Sequence, residues 1–392
     1  MTKKNKLKNI IITLSLILVT FTANGNDLRI TYLDLKNDYR YDENLLYARI
    51  QLKPTGRPLV AVKIAEEESK IIGDALDVNF ILDNYSFDNV SDLNNHINNN
   101  DQGFIFIVDL DTDNLNWLSQ NILKKNIIIF NISSYNNSLR DVNCNKNIFH
   151  AIPSYNMLTD ALGQYLIKKN WKKVIILEGP LDEDIEFSKS FKNTSKKMGI
   201  KIVDEKKFIL SNDPRERENN NITLLSGDAK HDVIFLSDTE GEFGRYVPYN
   251  TKLPRPIIGT TGLTPETWHW SFERYGAPQL NSRFEKKEKN RRMSGYDYAA
   301  WISFKSIVKS VMKNRSTTYE DITRALTDSN LNLDGFKGNS LSYRAWNNQL
   351  RQPILLSTHN ALIEKTPIKG FLHELNNMDT LGKDSGETQC AF

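Results

Sequence analysis

The strongest constraint on the fold is an alternation of short apolar runs with amphipathic helical patterns. Runs rich in Ile, Val and Phe indicate buried strands, and each is followed by a segment with apolar residues at helical spacing. Such alternation is typical of parallel sheets joined by crossover helices. It occupies residues 28–134 and begins again after 148–154, so the sequence predicts the same α/β architecture twice.

The predicted elements form two rounds and a different remainder. In the first round the predicted strands are 28–35, 78–85, 103–110 and 127–134, and the helices are 55–76, 90–99 and 113–126. In the second round the strands are 173–179, 201–209, 232–238 and 254–262, and the helices are 155–170, 183–199 and a short one near 216–226. Ser154 is the predicted cap of the helix that opens this round. The remainder has predicted helices at 296–314 and 318–329 and a hairpin at 339–358.

The amino terminus has the pattern of a secretory signal peptide. Four lysines precede an apolar run that ends at the small-residue site Ala23-Asn24-Gly25. We therefore expect residues 1–25 to be removed near Gly25 and the mature protein to be periplasmic. The run is short for a membrane span, and no cysteine follows it to carry a lipid anchor. Without these four lysines the formal net charge changes from +3 to about −1, which gives no reason to expect nucleic acid as a partner.

The mature chain is too long for one compact core, so two lobes are expected. We assign 26–150, about 264–335 and the tail 366–392 to the first lobe, and 151–263 with about 336–365 to the second. The predicted fold class is α/β, with two doubly wound, Rossmann-like lobes joined by a hinge of several crossing segments. Cys144 and Cys390 are expected to form a long-range disulfide in an oxidising compartment, with two unpaired thiols as the alternative.

No pattern in the sequence predicts an enzyme. Nucleophile-elbow, zinc-protease, P-loop and dinucleotide-binding motifs are missing, and no two histidines have one-turn helical spacing. Asp109, Asp111 and Asp113 alternate like the first ligands of a calcium loop, but Asn114 and Gln120 stand where such a loop needs glycine and glutamate. A turn with a helix cap is the favoured interpretation of this Asp cluster. We expect no catalytic residues, no metal and no cofactor.

Polar and aromatic residues follow the predicted strands of the second round, where ligands bind in open α/β sheets. Asp238, Glu240 and Tyr246 come after the strand at 232–238, and Trp268 and His269 come after the next one. The alternatives are structural. One of Trp268 and Trp270 is expected in the core, and His269 is as well explained by packing as by ligand contact. The charged stretch 283–292 is expected to be a solvated face or loop.

A family resemblance narrows this interpretation. Two α/β lobes, an export signal and the lack of a catalytic motif together resemble a type I periplasmic binding protein, the class of the leucine/isoleucine/valine-binding proteins. The stretches "FHAIPSYNMLTDALGQYLIKKNWKKVIILEGP", "GTTGLTPETWHWSFERYGAPQL" and "GFLHELNNMDTLGKDSGETQC" are similar to substrate-binding proteins of ABC transporters associated with pyrroloquinoline quinone (PQQ)-dependent alcohol catabolism. The resemblance covers most of the chain from about His150 onward.

The resemblance implies a periplasmic solute-binding protein that works with an ABC permease and its ATPase beside PQQ-dependent alcohol oxidation. A small ligand is expected in the cleft between the lobes. The candidate ligand-binding residues are Arg57, Ser133 and Ser134 from the first lobe, and Asp238, Glu240, Tyr246, Trp268 and His269 from the second. The alternative is a periplasmic accessory or interaction protein that assists a quinoprotein alcohol dehydrogenase without transport.

Overall fold

The computed structural model describes residues 26–42, 54–211, 213–227, 229–390 and 392. It has two parallel sheets with helices on both faces and two small antiparallel sheets. The predicted double α/β architecture is therefore confirmed. The predicted signal peptide at 1–25 lies outside the described residues. Among the described helices, none combines the length and apolar character needed to cross a membrane.

The first parallel sheet has five strands in the order β2-β1-β3-β4-β5. The strands are β1 (Asn26–Leu35), β2 (Val78–Phe87), β3 (Ile105–Asp109), β4 (Ile128–Asn131) and β5 (Ile148–His150). The connecting helices are α1 (Leu59–Leu76), α2 (Val90–Asn99) and α3 (Thr112–Asn121). Every residue of β3 is buried, as expected for a central strand of Ile, Phe and Val with helices on both faces.

The second parallel sheet has four strands in the order β7-β6-β8-β9. The strands are β6 (Lys173–Glu178), β7 (Lys201–Lys207), β8 (Val233–Ser237) and β9 (Ile257–Gly259). The helices of this sheet are α4 (Tyr155–Lys169), α5 (Asp182–Met198), α6 (Ile222–Leu225) and α7 (Val247–Asn250). The Ser154 side chain accepts a hydrogen bond from the backbone N–H of Met157, so the predicted cap of α4 is confirmed.

The last third of the chain adds three helices and the two antiparallel sheets. The helices are α8 (Ala277–Lys287), α9 (Gly295–Asn314) and α10 (Tyr319–Thr327). One sheet contains β10 (Thr264–Glu266), β14 (Ile354–Thr358) and β15 (Ala361–Thr366), and the other contains β11 (Leu333–Asp334), β12 (Ser340–Tyr343) and β13 (Leu350–Arg351). The pairing of β12 with β13 confirms the predicted hairpin, and Asn348 has the positive φ of 51° that its turn requires.

The charged stretch 283–292 is largely solvated, as expected, but the helix that contains part of it and a later hairpin were not predicted. Part of the charged stretch 283–292 belongs to α8, whose Leu280 and Phe284 are buried while its lysines face outward. The helical spacing of Leu280 and Phe284 is difficult to recognise in the sequence, because charged residues surround Phe284. The hairpin of β14 and β15 was also not predicted, because 361–366 alternates weakly between buried and exposed positions.

The apolar core divides between two lobes, each named for its parallel sheet. Residues from α9 and from β12 and β13 pack on the first sheet, including Trp301, Tyr343 and Leu350. Residues from β14 and the tail, including Ile354 and Leu381, pack on the second sheet. The sequence placed 336–365 wholly in the second lobe and the tail in the first. The structure distributes both segments over the region where the chain crosses between lobes.

The predicted disulfide joins Cys144 to Cys390, with a Cα–Cα distance of 5.8 Å. Nearby hydrogen bonds attach the same part of the tail to the loop before β5. Thr388 Oγ1 donates to the carbonyl of Arg140 at 3.0 Å, and the backbone N–H of Gln389 donates to Asp141 at 2.8 Å. The tail is therefore fixed at its end to the first lobe, although its apolar residues pack on the second.

Candidate functional site

A buried carboxylate lies at the carboxyl end of the first sheet, where β3 ends with Asp109. This side chain is fully buried and accepts three hydrogen bonds. The donors are Arg40 Nη2 at 2.9 Å, the Tyr41 hydroxyl at 2.8 Å and the Tyr32 hydroxyl at 3.3 Å. Tyr32 lies in β1, and Arg40 and Tyr41 follow that strand in a short 3-10 turn. We call Tyr32, Asp38, Arg40, Tyr41 and Asp109 the Asp109 cluster.

Arg40 is held between two carboxylates of the Asp109 cluster. Its Nε lies 3.0 and 3.1 Å from the two carboxylate oxygens of Asp38, and its Nη2 pairs with Asp109. Burial would lower the pKa of Arg40, but Asp109, Tyr41 and Asp38 outweigh that effect and raise it. Burial, reinforced by the Asp109 charge, raises the pKa of Tyr41 and Tyr32 well above the ordinary value. The cluster therefore contains a stable internal ion pair with neutral phenols around it.

The first-lobe candidates from the sequence lie beside this cluster. Arg57 donates to Asp34 at 2.8 Å and its guanidinium carbon lies 4.9 Å from the centre of the Tyr41 ring. Ser133 is bonded in both directions to the backbone of Leu110, at 2.8 and 3.1 Å. Ser134 Oγ lies 3.0 Å from Thr112 Oγ1. Arg57 thus pairs within its own lobe beside the Asp109 cluster. The two buried serines fasten the loop after β4 to Leu110 and to the first residue of α3.

On the second lobe, two buried aspartates organise the carboxyl ends of the strands. Asp184, in the first turn of α5, accepts from the backbone N–H of Thr239 at 2.6 Å and from its hydroxyl at 2.7 Å. Asp238 accepts from the backbone N–H groups of Gly241 at 3.1 Å and Gly244 at 2.6 Å. Burial raises the pKa of Asp184 to about 6, despite these hydrogen bonds. Asp238, a candidate from the sequence, therefore holds the loop that presents Glu240.

The two lobes meet through a tyrosine cluster, which we define as Tyr135, Tyr155 and Tyr296. Tyr135 follows β4, Tyr155 begins α4 and Tyr296 lies in the first turn of α9. The rings of Tyr135 and Tyr155 are stacked with centroids 5.6 Å apart, and the Tyr135 and Tyr296 centroids are 5.9 Å apart. Tyr296 also lies 5.9 Å from the Arg40 guanidinium. The tyrosine cluster therefore connects the Asp109 cluster to the second lobe.

Charged groups of the second lobe also face the first lobe. Burial, followed by the charge of Glu183, raises the pKa of Tyr39 to about 12. Farther along α5, Glu186 accepts a hydrogen bond from Asn137 at 2.8 Å. The facing surfaces thus combine carboxylates, guanidiniums and phenols, which are groups that bind and orient polar solutes.

The remaining second-lobe candidates do not join one site. Trp268 lies in the core of the first lobe, stacked on Tyr298 at 4.7 Å, and its indole N–H donates to Asn281 at 2.9 Å. His269 is 5% exposed, and its Nδ1 lies 2.6 Å from the Ser271 hydroxyl. Tyr246 is 53% exposed. The structure therefore places Trp268 in packing, against the interpretation that gave it a cleft role.

The residues of the Asp109 cluster were not among the ligand-binding candidates predicted from the sequence. Asp109 was considered only as part of a calcium-like pattern, and within the described residues no group of three or more His, Cys, Asp or Glu is arranged to hold a metal. Asp111 instead caps α3 through the N–H of Asn114, as the favoured interpretation predicted. Arg40 and Tyr41 could have been chosen as candidates because they lie directly after the first strand, in the segment "NDYRYD".

Comparisons with known proteins identify the fold. No family model matches the sequence, and no curated protein matches it either. A branched chain amino acid ABC transporter periplasmic ligand-binding protein from Burkholderia xenovorans LB400 superimposes with a TM-score of 0.72 at 10% identity, covering 93% of this chain and 99% of that chain. A periplasmic binding protein from Burkholderia mallei gives 0.67 at 14% identity, with 93% and 99% covered.

A third structure is a solute-binding protein of an ABC transporter from R. palustris in complex with benzoate. It has a TM-score of 0.65 at 12% identity, and the match covers 94% of this chain and all of that chain. At such identities the likeness shows the fold. The chain has the two-lobed α/β fold of type I periplasmic binding proteins, as the resemblance implied.

Proposed function

We propose that this chain is a periplasmic solute-binding protein, not an enzyme, which binds a small ligand between its lobes and delivers it to an ABC permease and its ATPase. The observation that carries the proposal is the meeting of buried charged and phenolic groups from both lobes at the carboxyl ends of their parallel strands. In doubly wound folds ligands bind at this position. The solved structures that share this fold are described as periplasmic or solute-binding proteins, which supports a solute-binding role.

The finer part of the proposal is a link to PQQ-dependent alcohol oxidation. It rests on the similarity of the stretches from His150 onward to binding proteins associated with that pathway. The ligand is proposed to be a small polar compound, compatible with aromatic side chains at the cleft. The proposed contacts are Arg57 and Tyr39 from the first lobe and Glu183 and Glu240 from the second. We also propose that the lobes divide near residues 150, 264, 335 and 366, with apolar side chains of 336–365 and of the tail packing across that division.

Calorimetric titration of the exported protein tests this function. The panel contains short alcohols, organic acids, aromatic carboxylates, PQQ and metal ions. We expect one class to bind saturably, and Arg57→Gln to weaken that binding at least tenfold, because a charged hydrogen bond at the cleft edge is lost. Arg29→Gln is the matched control, since Arg29 pairs with Asp83 at 3.0 Å near the opposite end of the same sheet. No binding across the panel would contradict the proposal.

A second candidate function has one observation in its favour. The Asp109 carboxylate is already bonded to three side chains of its own lobe, so this buried charge is satisfied by the protein itself. This carboxylate therefore does not need a ligand, and on that ground we retain the alternative of an accessory protein that assists a quinoprotein alcohol dehydrogenase without transport. Affinity purification from a periplasm that contains both systems distinguishes the two functions. Retention of the dehydrogenase without permease components would favour the accessory role.

A further inference from the structure

An excess of buried positive charge lies where the chain crosses between the lobes. Arg140, Arg344 and Arg351 are 4%, 1% and 6% exposed. Within the described residues, Asp379 is the one carboxylate that forms ion pairs with them: it bonds Arg344 Nε at 2.8 Å and Arg351 Nε at 2.9 Å. Arg344 and Arg351 therefore share one carboxylate, and Arg140 is paired with none. Uncompensated buried charges cost several kcal/mol each, so such an excess calls for a counter-ion.

Arg140 has the least compensated charge of the three. Its Nε donates to the Gln349 side-chain oxygen at 2.8 Å, its Nη1 to the carbonyl of Asn136 at 2.7 Å and its Nη2 to the carbonyl of Ile152 at 3.0 Å. Its Nη2 also donates to the carbonyl of Pro153 at 3.5 Å, and all four acceptors are neutral. Burial lowers the pKa of Arg140 to about 9, which still leaves the guanidinium charged at neutral pH.

A small cavity is lined by two of these cations, Arg140 and Arg344, and we call it the hinge cavity. Its lining includes Arg140 and Arg344 together with Asn137, Ser154, Asn156 and Asn347. The volume is about 10 Å³, which suits a single water-sized particle. Lys383 also borders the hinge cavity, but its ammonium is paired with Asp141. The charge of the lining is therefore positive. Its neutral members include the Ser154 hydroxyl and the Asn156 amide, whereas the Asn137 amide already donates to Glu186 and Ser190.

We propose that the hinge cavity binds one small monovalent anion of the size of chloride. A water molecule fits the volume but leaves the guanidinium charge without compensation, and a sulfate or phosphate is too large for the space. The anion accepts hydrogen bonds from the lining and connects the loop after β4, the turn between β12 and β13, and the carboxyl-terminal tail. It thus stabilises the hinge from within.

Thermal unfolding in chloride and in gluconate at equal ionic strength tests the anion site. We expect a saturable rise of the melting temperature in chloride, on the order of a few degrees, because an ion that binds only the folded chain stabilises it by mass action. Gluconate is too large to enter and should give no such rise. Crystals grown in bromide should show one anomalous peak in the hinge cavity. Equal melting temperatures in the two salts, or a cavity without bromide, would overturn the proposal.

Asn347→Asp supplies the missing negative charge within the protein. The change is isosteric and keeps the side-chain oxygen that accepts from the backbone N–H of Gln349 at 3.2 Å. We expect the chloride-dependent rise to disappear in this variant. Arg215→Gln is the control, because Arg215 is an exposed guanidinium paired with Asp213, and it should retain the full rise. An unchanged chloride response in Asn347→Asp would contradict the site, and if this variant does not fold, the bromide experiment decides.

Discussion

At the scale of single residues, the Asp109 carboxylate is expected to contribute most to stability at the lobe interface. Asp109→Asn leaves the buried Arg40 with Asp38 alone and removes the charged acceptor of Tyr32 and Tyr41. Removing one partner of a buried pair typically costs a few kcal/mol, so we expect a loss on the order of 3 kcal/mol in the free energy of unfolding. Urea denaturation followed by tryptophan fluorescence measures it.

The matched control for this change is Asp83→Asn. Asp83 pairs with Arg29 of β1 at 3.0 Å, but that pair is partly exposed, with side chains 34% and 27% accessible. Partly exposed ion pairs contribute about 0–1 kcal/mol. If both variants lose the same stability, the Asp109 cluster is not the buried network that the contacts indicate.

A second residue prediction concerns pH. Burial raises the pKa of Asp184 to about 6 from its ordinary value of 3.8, so the folded chain binds this proton more tightly than the unfolded chain does. The contribution of Asp184 to the free energy of unfolding therefore falls as pH rises from about 4 to about 6, by less than about 3 kcal/mol. Asp184→Asn should remove this part of the pH dependence in urea titrations. Asp182→Asn, in the same helical turn but exposed, should keep it.

At the scale of elements, the disulfide is expected to matter more than any helix cap. It closes a loop of 246 residues and restricts the unfolded chain. We expect the double variant Cys144→Ser/Cys390→Ser to lose roughly 2–5 kcal/mol and to expose the tail to proteolysis. Calorimetry with and without reductant measures the loss. Reductant should not change the double variant further, and an unreduced digest without the linked peptides would contradict the bond.

The elements that could be predicted from the sequence are those with a clear apolar period. Helices and strands with a clear apolar period were found with small boundary errors: 90–99 coincides with α2, and 78–85 lies within β2. The elements that were missed have no clean period. Helix α8 has only a narrow apolar face between its lysines, so its helical period is weak in the sequence. Strand β15 is defined by its antiparallel pairing with β14. Such elements are set by tertiary contacts that no local pattern records.

At the scale of the whole molecule, the two lobes could be predicted from the sequence, but the residues that are in contact between them could not. Strand ends in each lobe were located from the sequence: Asp238 directly follows β8, and Arg57 pairs with Asp34 near the end of β1. Arg40 and the tyrosine cluster come from segments far apart in sequence, and their convergence depends on how the lobes pack. Trp268 shows the opposite error, because an aromatic residue after a strand suits a cleft as well as a core until its neighbours are known.

The stack of Tyr135 on Tyr155 gives a prediction about lobe closure. Tyr155→Leu removes an aromatic contact between the lobes worth about 1 kcal/mol, which shifts an open–closed equilibrium about fivefold towards the open form. Small-angle X-ray scattering of the ligand-free protein should show a larger radius of gyration. Tyr165→Leu is the control on the same helix, because Tyr165 packs on Trp171 within the second lobe. An equal change in both variants would indicate a loss of helix packing, and no change in Tyr155→Leu would show that the stack does not hold the lobes together.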